Sequence, residues 1–172
     1  MKTKAGKSAR LLLLVDASAA SKRMVDYVAG IIGRRRNFHL YLLHLMPRMP
    51  AQLMETGGAD TPKREAEVNA ELHREQEQWI ASKRTAARPV LDELVAILRK
   101  SRVSVRSIEI VFTDPLDAAT LDRAVLGLAA ERGCHTIALG HDSHSWFREM
   151  TGGHLTEHLL RHARGVTLWV VE

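Results

Sequence analysis

A continuous apolar segment, "LLLLVD" at residues 11–16, constrains the fold of this chain more than any other feature. Strands that are buried on both faces form uninterrupted apolar runs, and they occur in parallel sheets that are covered by helices on both sides. Asp16 closes the run with a carboxylate. The segment therefore predicts a buried parallel strand that ends at a polar site.

The segments that follow alternate between helix and strand patterns. In residues 18–36, apolar side chains recur every three or four positions, which predicts an amphipathic helix that Ser18 or Ser21 could cap. Further strands are expected at 38–46, 103–112, 135–140 and 166–171. Further helices are expected at 63–99, 114–133 and 155–163.

Prolines and glycines set the expected ends of these helices. Pro89 lies inside the long helical segment and is expected to kink or split it. Asp114 and Pro115 suit the N-cap and first position of the next helix, and Gly133 suits its end.

Strands that alternate with helices predict an α/β protein with a single doubly wound, five-stranded parallel sheet. In such sheets ligands bind beyond the carboxyl ends of the strands, where the strand order reverses. Asp16, Thr113 and Gly140 each follow or end a predicted strand. The unusual residues of this chain therefore fall where this architecture places its sites.

Length and composition narrow the class of protein. The 172 residues, 45% of them apolar and 26% charged, suit one globular domain. The longest apolar runs are far shorter than the roughly 18 residues of a membrane span, and the run after the basic start is too short for a signal peptide. We expect a cytoplasmic protein. Cys134 is the only cysteine, which excludes an internal disulfide, and we expect a small buried residue rather than a reactive thiol.

The positive charge lies mostly at the amino terminus. The net charge is +5, and the four cations of residues 1–10 account for four of these charges. We expect a flexible basic tail at 1–10, one domain at 11–172, and a flexible loop at 48–64, where Pro and Gly are frequent. The aromatic residues do not interleave with basic ones as a nucleic-acid stacking surface requires, so neither nucleic acid nor membrane is an expected partner.

The order of elements and several motifs together resemble the universal stress protein family. The segments "LLLLVDASAASKRMVDYVAGI", "LYLLHLMP" and "IVFTDPLDAAT" are similar to its first three strands and the turns after them. The segment "GCHTIALGHDSHSWFREMTGGHLTEHLLRHARGVTLWVV" is similar to its carboxyl-terminal signature. The resemblance covers the chain apart from the tail and residues 48–90. It implies a Rossmann-like fold of the adenine nucleotide alpha hydrolase type.

ATP-binding members of that family carry Gly, two residues, Gly, nine residues, Gly, and then Ser or Thr. Here Gly140 is followed at that spacing by Ser143, Gly153 and His154, so the second glycine and the final hydroxyl residue are replaced. If the Ser143 position is left-handed, its side chain costs about 1–2 kcal/mol. A histidine at 154 can still donate an N–H or, when protonated, attract phosphate.

The resemblance implies an adenine-nucleotide site, for ATP, ADP or AMP and with or without Mg²⁺. Asp16 resembles the acid at the adenosine end, Thr156 resembles a phosphate-contacting threonine, and Thr113 replaces a usual glycine, so we expect a tighter ribose side. The residues expected to bind the nucleotide are Asp16, Ala17, Thr113, Leu139, Gly140, Ser143, Gly153, His154, Leu155 and Thr156. The alternative is that Asp16 and Gly153 only cap helices and no ligand binds.

Five histidines near the carboxyl terminus raise a metal-binding alternative. His154, His158 and His162 are four residues apart on one predicted helix, and His141 and His144 precede it. Imidazoles bind zinc, nickel and copper. No acid or cysteine completes a recognisable ligand pattern, so we favour a solvated or capping face and predict no metal site.

The chain lacks a G-x-S-x-G nucleophile motif and a Walker lysine motif. We therefore expect a binding module without catalytic residues and with at most weak ATPase activity. The β-branched strand at 166–171 is expected to form a homodimer, as the resemblance implies, and the module would act in the stress response through protein partners that the sequence does not name. A nucleotide-independent member that acts by protein contact, and a histidine-rich metal-binding protein, are the alternatives.

Overall fold

Strands and helices alternate along the chain in the predicted order. The structure, a computed structural model, describes residues 8–35, 37–54, 61–115, 120–141 and 155–172. The elements are β1 (Ala9–Val15), α1 (Ala19–Ile32), β2 (Phe38–His44), α2 (Pro62–Lys100), β3 (Ile108–Phe112), α3 (Leu121–Glu131), β4 (Thr136–Gly140), α4 (Leu155–His162) and β5 (Thr167–Val171). Short 3₁₀ turns lie at Ala51–Leu53 and Val105–Ser107.

The five strands form one parallel sheet in the order β3-β2-β1-β4-β5. β1 lies at its centre, where Leu14 pairs with Leu43 on one side and with Leu139 on the other. The four leucines of the apolar run, residues 11–14, are at most 2% exposed. The predicted buried parallel strand and the doubly wound sheet are confirmed.

Two helical layers cover the sheet. Leu11 and Leu13 point into a core formed with α1 and α2, while Leu12 and Leu14 point into a second core formed with α3 and α4. The continuous apolar run follows from this arrangement, because successive strand residues face opposite layers and both layers are apolar.

Ser18 is the residue that caps α1. Its hydroxyl accepts a hydrogen bond from the Ser21 amide at 3.1 Å, and its backbone is extended. Ser21, the other candidate, is buried within the helix. The helix ends at Gly33, whose φ of +51° is a conformation that a side chain would disfavour.

Helix α2 is longer than expected and runs through Pro89 without being split. It begins at Pro62 after the capping Thr61, so residues 62–64 are helical rather than part of the predicted loop. Pro89 and Thr85 are on an exposed side of the helix, where water can bond the Thr85 carbonyl that loses its partner. Among the described helices, none has both the length and the apolarity to cross a bilayer.

The predicted start of α3 is wrong, whereas its predicted end is confirmed. The α-helix begins at Leu121, and Pro115, predicted as the first helical residue, lies in a bend. An Asp-Pro pair favours turns as well as helix starts. At the other end Gly133 has a φ of +62°, and the Cys134 amide reaches back to the Ala129 carbonyl at 2.7 Å.

Two strand boundaries also differ from the prediction. β1 begins at Ala9, so Ala9 and Arg10 belong to the sheet and not to the tail. β3 begins only at Ile108, because the chain before it turns out of α2. There the Val103 amide bonds to the Leu98 carbonyl at 3.1 Å and closes the helix.

Candidate functional site

The strand order reverses between β1 and β4, and three of the predicted site residues meet there. Asp16 and Ala17 follow β1, and Gly140 ends β4, its neighbour in the sheet. Adjacent strands lie about 4.8 Å apart, so these backbones are close together. In a doubly wound sheet this crevice is the expected ligand position.

Asp16 is buried and holds the start of α1 in place. Its Oδ1 accepts hydrogen bonds from the Ser18 amide at 3.0 Å, the Ser18 hydroxyl at 2.5 Å and the Ser21 hydroxyl at 2.6 Å. Ser21 in turn accepts a bond from the Asp16 amide at 2.9 Å. The carboxylate therefore positions the capping serine of α1 rather than capping the helix itself.

Gly140 is required by packing. A Cβ atom at this position would lie 2.6 Å from the backbone C and O atoms of Ala20, in the first turn of α1. Backbone atoms cannot move aside as a flexible side chain can. The first glycine of the family motif thus has a structural reason to be glycine, whether or not a ligand binds beside it.

A cleft of about 310 Å³ opens beyond the carboxyl ends of β1 and β2, and we call it the β1–β2 cleft. The strand ends contribute one wall and α2 contributes the opposite one. Its lining residues are Asp16, Ala17, His44, Pro47, Lys83, Ala86, Ala87 and Val90. The cleft combines a small apolar wall with an acid, an imidazole and a cation.

His44 is the titratable group on the β2 side of the cleft. Its Nδ1 lies 3.2 Å from the Val15 carbonyl oxygen, which can only accept, so Nδ1 carries the hydrogen. Burial lowers the pKa of His44, while the Val15 hydrogen bond and the charge of Asp16 act in the opposite direction without offsetting it. The imidazole is therefore neutral at pH 7.

Thr113 does not join the other predicted residues. It follows β3, which lies two strands from β1 and therefore about 10 Å away. Its hydroxyl accepts a hydrogen bond from the Met46 amide at 2.9 Å, and its own amide donates to the His44 carbonyl at 3.2 Å. Thr113 ties the ends of β2 and β3 together.

The remaining predicted site residues divide into three groups. Leu139 and Leu155 are core residues, 3% and 6% exposed, so only their backbones could face a ligand. Thr156 is half-buried in the first turn of α4. Ser143, Gly153 and His154 lie outside the described residues.

Sequence reasoning missed the cleft residues His44 and Lys83. His44 could have been found, because it ends a strand that is adjacent to β1 in such sheets. Lys83 could not have been found, because its position depends on how the 39-residue α2 lies across the sheet edge.

Cys134 is 2% exposed, as the sequence predicts for a small buried residue. Burial raises the pKa of its thiol to about 11, although Arg10 and Arg132 act in the opposite direction. A thiol of this kind is protonated at neutral pH and is a poor nucleophile.

The fold and the crevice together define a doubly wound α/β protein with a crevice at the β1–β4 reversal, where this architecture places its ligand sites. The model of the universal stress protein family matches residues 8–171 of this chain. The chain belongs to the universal stress protein family. None of the curated protein sequences is significantly similar to it.

Solved structures support the same fold. A member of the universal stress protein family from Burkholderia pseudomallei has a TM-score of 0.58 at 19% identity, with 96% of this chain and 97% of that one covered. A universal stress protein from Archaeoglobus fulgidus, solved with dAMP, gives 0.56 at 15% identity and 96% and 99% coverage. A universal stress protein solved with cAMP gives 0.54 at 16% identity and 95% and 96% coverage.

Proposed function

We propose that this chain is a stress-response module that binds an adenine nucleotide and acts through protein partners. The β1–β2 cleft is the observation that carries the proposal, because it lies at the carboxyl edge of the sheet beside the β1–β4 reversal. Its volume is at the low end of the ~300–1,000 Å³ typical of small-molecule sites. That size suits the nucleoside end of a nucleotide, with the phosphates outside.

The chemistry of the cleft suits this ligand. Ala86, Ala87 and Val90 offer an apolar wall for a base, and Lys83 adds a positive charge. Two neighbours of the same fold were solved with dAMP and with cAMP. The phosphates would meet the segment between Gly140 and Leu155, whose sequence keeps the spacing of the family's ATP motif.

The proposed activity is binding rather than catalysis, with at most weak ATPase activity. The described lining of the cleft contains no Ser, Thr or Cys that His44 could activate as a nucleophile.

The module would work as a homodimer in the cytoplasm, with β5 as the contact. β5 is an edge strand of the sheet, and Val170 in this strand is 41% exposed. An edge strand presents unpaired backbone groups to a second chain, and a two-fold symmetric pair would satisfy them.

The test fills the cleft from α2. Ala86→Trp places an indole in the opening, whereas Ala81→Trp adds the same bulk to an exposed position of the same helix that does not line the cleft. Titration calorimetry with ATP, ADP, AMP, cAMP and GTP should show adenine nucleotides bound by wild type and by Ala81→Trp. We expect Ala86→Trp to weaken binding at least about tenfold, or about 1.4 kcal/mol.

Two outcomes would contradict the proposal: no adenine nucleotide binds the wild-type protein, or Ala86→Trp binds as tightly as Ala81→Trp. Gly153→Val tests the phosphate side separately, because a branched side chain in the motif should hinder the phosphates. If Gly153→Val loses ATP binding but still binds adenosine, the phosphates and the nucleoside are bound by separate parts of the site.

A nucleotide-independent member that acts by protein contact is the second candidate. It is favoured by the structural roles of Gly140 and Asp16, since both residues are accounted for without a ligand. Failure of every nucleotide to bind, with an intact fold, would support this candidate.

A further inference from the structure

Two histidines of α4 converge on an aspartate of α3. His162 Nδ1 lies 2.9 Å from Asp122 Oδ2, and His158 Nδ1 lies 3.8 Å from the same oxygen. One ligand atom from each of the three residues lies within 4.8 Å of the other two. We call Asp122, His158 and His162 the Asp122 triad.

The Asp122 triad bears on the sequence-based expectation that this chain has no metal site. The histidine spacing was clear, but no acid completed a recognisable ligand pattern with it in the sequence. Packing of α3 against α4 on one face of the sheet supplies the acid from a different helix. Tertiary structure therefore completes a ligand set that the sequence shows only in part.

The spacing of the triad fits a small transition-metal ion. Ligands at ~2.0–2.1 Å in a tetrahedron around zinc are about 3.3 Å apart. The two measured nitrogen-to-oxygen distances, 2.9 and 3.8 Å, lie on either side of that value. The rings of His158 and His162 lie edge to face, with centroids 6.0 Å apart, so both imidazoles are on the same side of α4 as Asp122.

The aspartate is held in position by burial and by a backbone hydrogen bond. Its side chain is only 9% exposed, and Oδ1 accepts a hydrogen bond from the Arg123 amide at 2.9 Å, which leaves Oδ2 facing the histidines. Such second contacts orient ligands in known metal sites.

The histidines lie at the surface, with side chains 50% and 57% exposed. An ion can therefore enter from solvent, and water can complete its coordination. Two imidazoles and one carboxylate favour zinc, cobalt, nickel or copper over calcium and magnesium, which prefer oxygen ligands.

We propose that the Asp122 triad binds one divalent first-row transition-metal ion per chain, with zinc as the reference cation. The ion would connect α3 to α4 on the face of the sheet opposite α1 and α2. This site does not depend on nucleotide binding. A metal that binds only the folded state stabilises it, because the triad is assembled only when the two helices pack.

Tag-free, metal-stripped protein titrated with Zn²⁺ tests the proposal. We expect one ion per chain and a melting temperature that rises by at least about 5 °C at a hundredfold excess over Kd. His158→Ala should weaken zinc binding at least tenfold. The fold should be preserved in this variant, because the His158 side chain is half-exposed and lies 3.8 Å from the Asp122 carboxylate. Asp122→Asn should weaken binding similarly. Co²⁺ should give the intense visible absorption of a tetrahedral site in wild type and lose it in both variants.

His73→Ala removes an exposed histidine of α2 and serves as the matched control, with binding expected to be unchanged. Circular dichroism of each variant shows whether a loss of binding comes from unfolding. The proposal would be overturned if folded His158→Ala and Asp122→Asn both still bind zinc, or if the wild type binds no stoichiometric zinc. The triad would then be only an ion pair between α3 and α4.

Discussion

Gly140 shows at the residue scale that a motif residue can have two independent reasons for its identity. The family motif assigns it to the phosphate loop, whereas the structure places it against the first turn of α1. Asp16 has the same double character, since it holds Ser18 and Ser21 while also lining the β1–β2 cleft. The presence of these two residues alone therefore does not demonstrate nucleotide binding.

Gly140→Ala should destabilise the protein by about 2 kcal/mol, because its methyl group would overlap the Ala20 backbone and force α1 away from β4. Chemical denaturation measures this loss. Gly30→Ala is the matched control, since a Cβ there meets nothing within 4 Å and lies in a helix, where alanine is favoured by about 0.5–1 kcal/mol. An equal effect of the two substitutions would contradict the packing role.

At the scale of single elements, the backbone hydrogen-bonding groups of β5 face β4 and the open edge of the sheet at alternate residues. On the β4 side, the Thr167 amide donates to the His135 carbonyl, and the Val171 carbonyl accepts from the His141 amide. Because alternate residues of a parallel strand bond to opposite sides, the backbone groups of Leu168 and Val170 face the open edge. This edge is the surface that the proposed homodimer would use.

Val170→Pro should separate the dimer without unfolding the chain. Proline removes an amide hydrogen that faces the edge, and none of the β4 hydrogen bonds is lost. Light scattering after size exclusion should give a monomer for Val170→Pro and a dimer for wild type. Val170→Thr retains the amide and should remain dimeric. A dimeric Val170→Pro protein would exclude this edge as the interface.

α2 shows how much of an element is visible in its sequence. Its composition predicted a helix over most of its length, and Pro89 was expected to kink or split it. The helix instead continues, because Leu91, Leu94 and Leu98 after the proline and Ala87 before it pack into the same core. Tertiary packing outweighs the loss of one hydrogen bond at an exposed turn.

At the scale of the whole molecule, burial of His44 couples global stability to pH. Its pKa is lowered in the folded protein, so the unfolded chain takes up a proton near its ordinary pKa of 6.5 while the folded protein does not. The contribution of His44 to the free energy of unfolding is therefore fully present above pH 6.5 and decreases as the pH falls below 6.5. The steepest contribution of one such group is about 1.4 kcal/mol per pH unit.

His44→Asn should flatten this dependence, because an amide can still donate to the Val15 carbonyl but does not titrate. Denaturation at a series of pH values from neutral to mildly acidic measures the slope for each protein. His73→Asn, at an exposed position of α2, controls for the loss of one histidine. Equal slopes for wild type and His44→Asn would show that His44 is not the group responsible.

The sequence alone determined the alternation of strands and helices, the burial of β1 in a parallel sheet and the resemblance to universal stress proteins, because these depend on local patterns of apolar residues and on motif spacing. Only the tertiary structure decided where α2 lies, which brings Lys83 to the β1–β2 cleft, and only packing of α3 on α4 brings Asp122 to His158 and His162. Such contacts join residues far apart in the chain, so no local pattern encodes them.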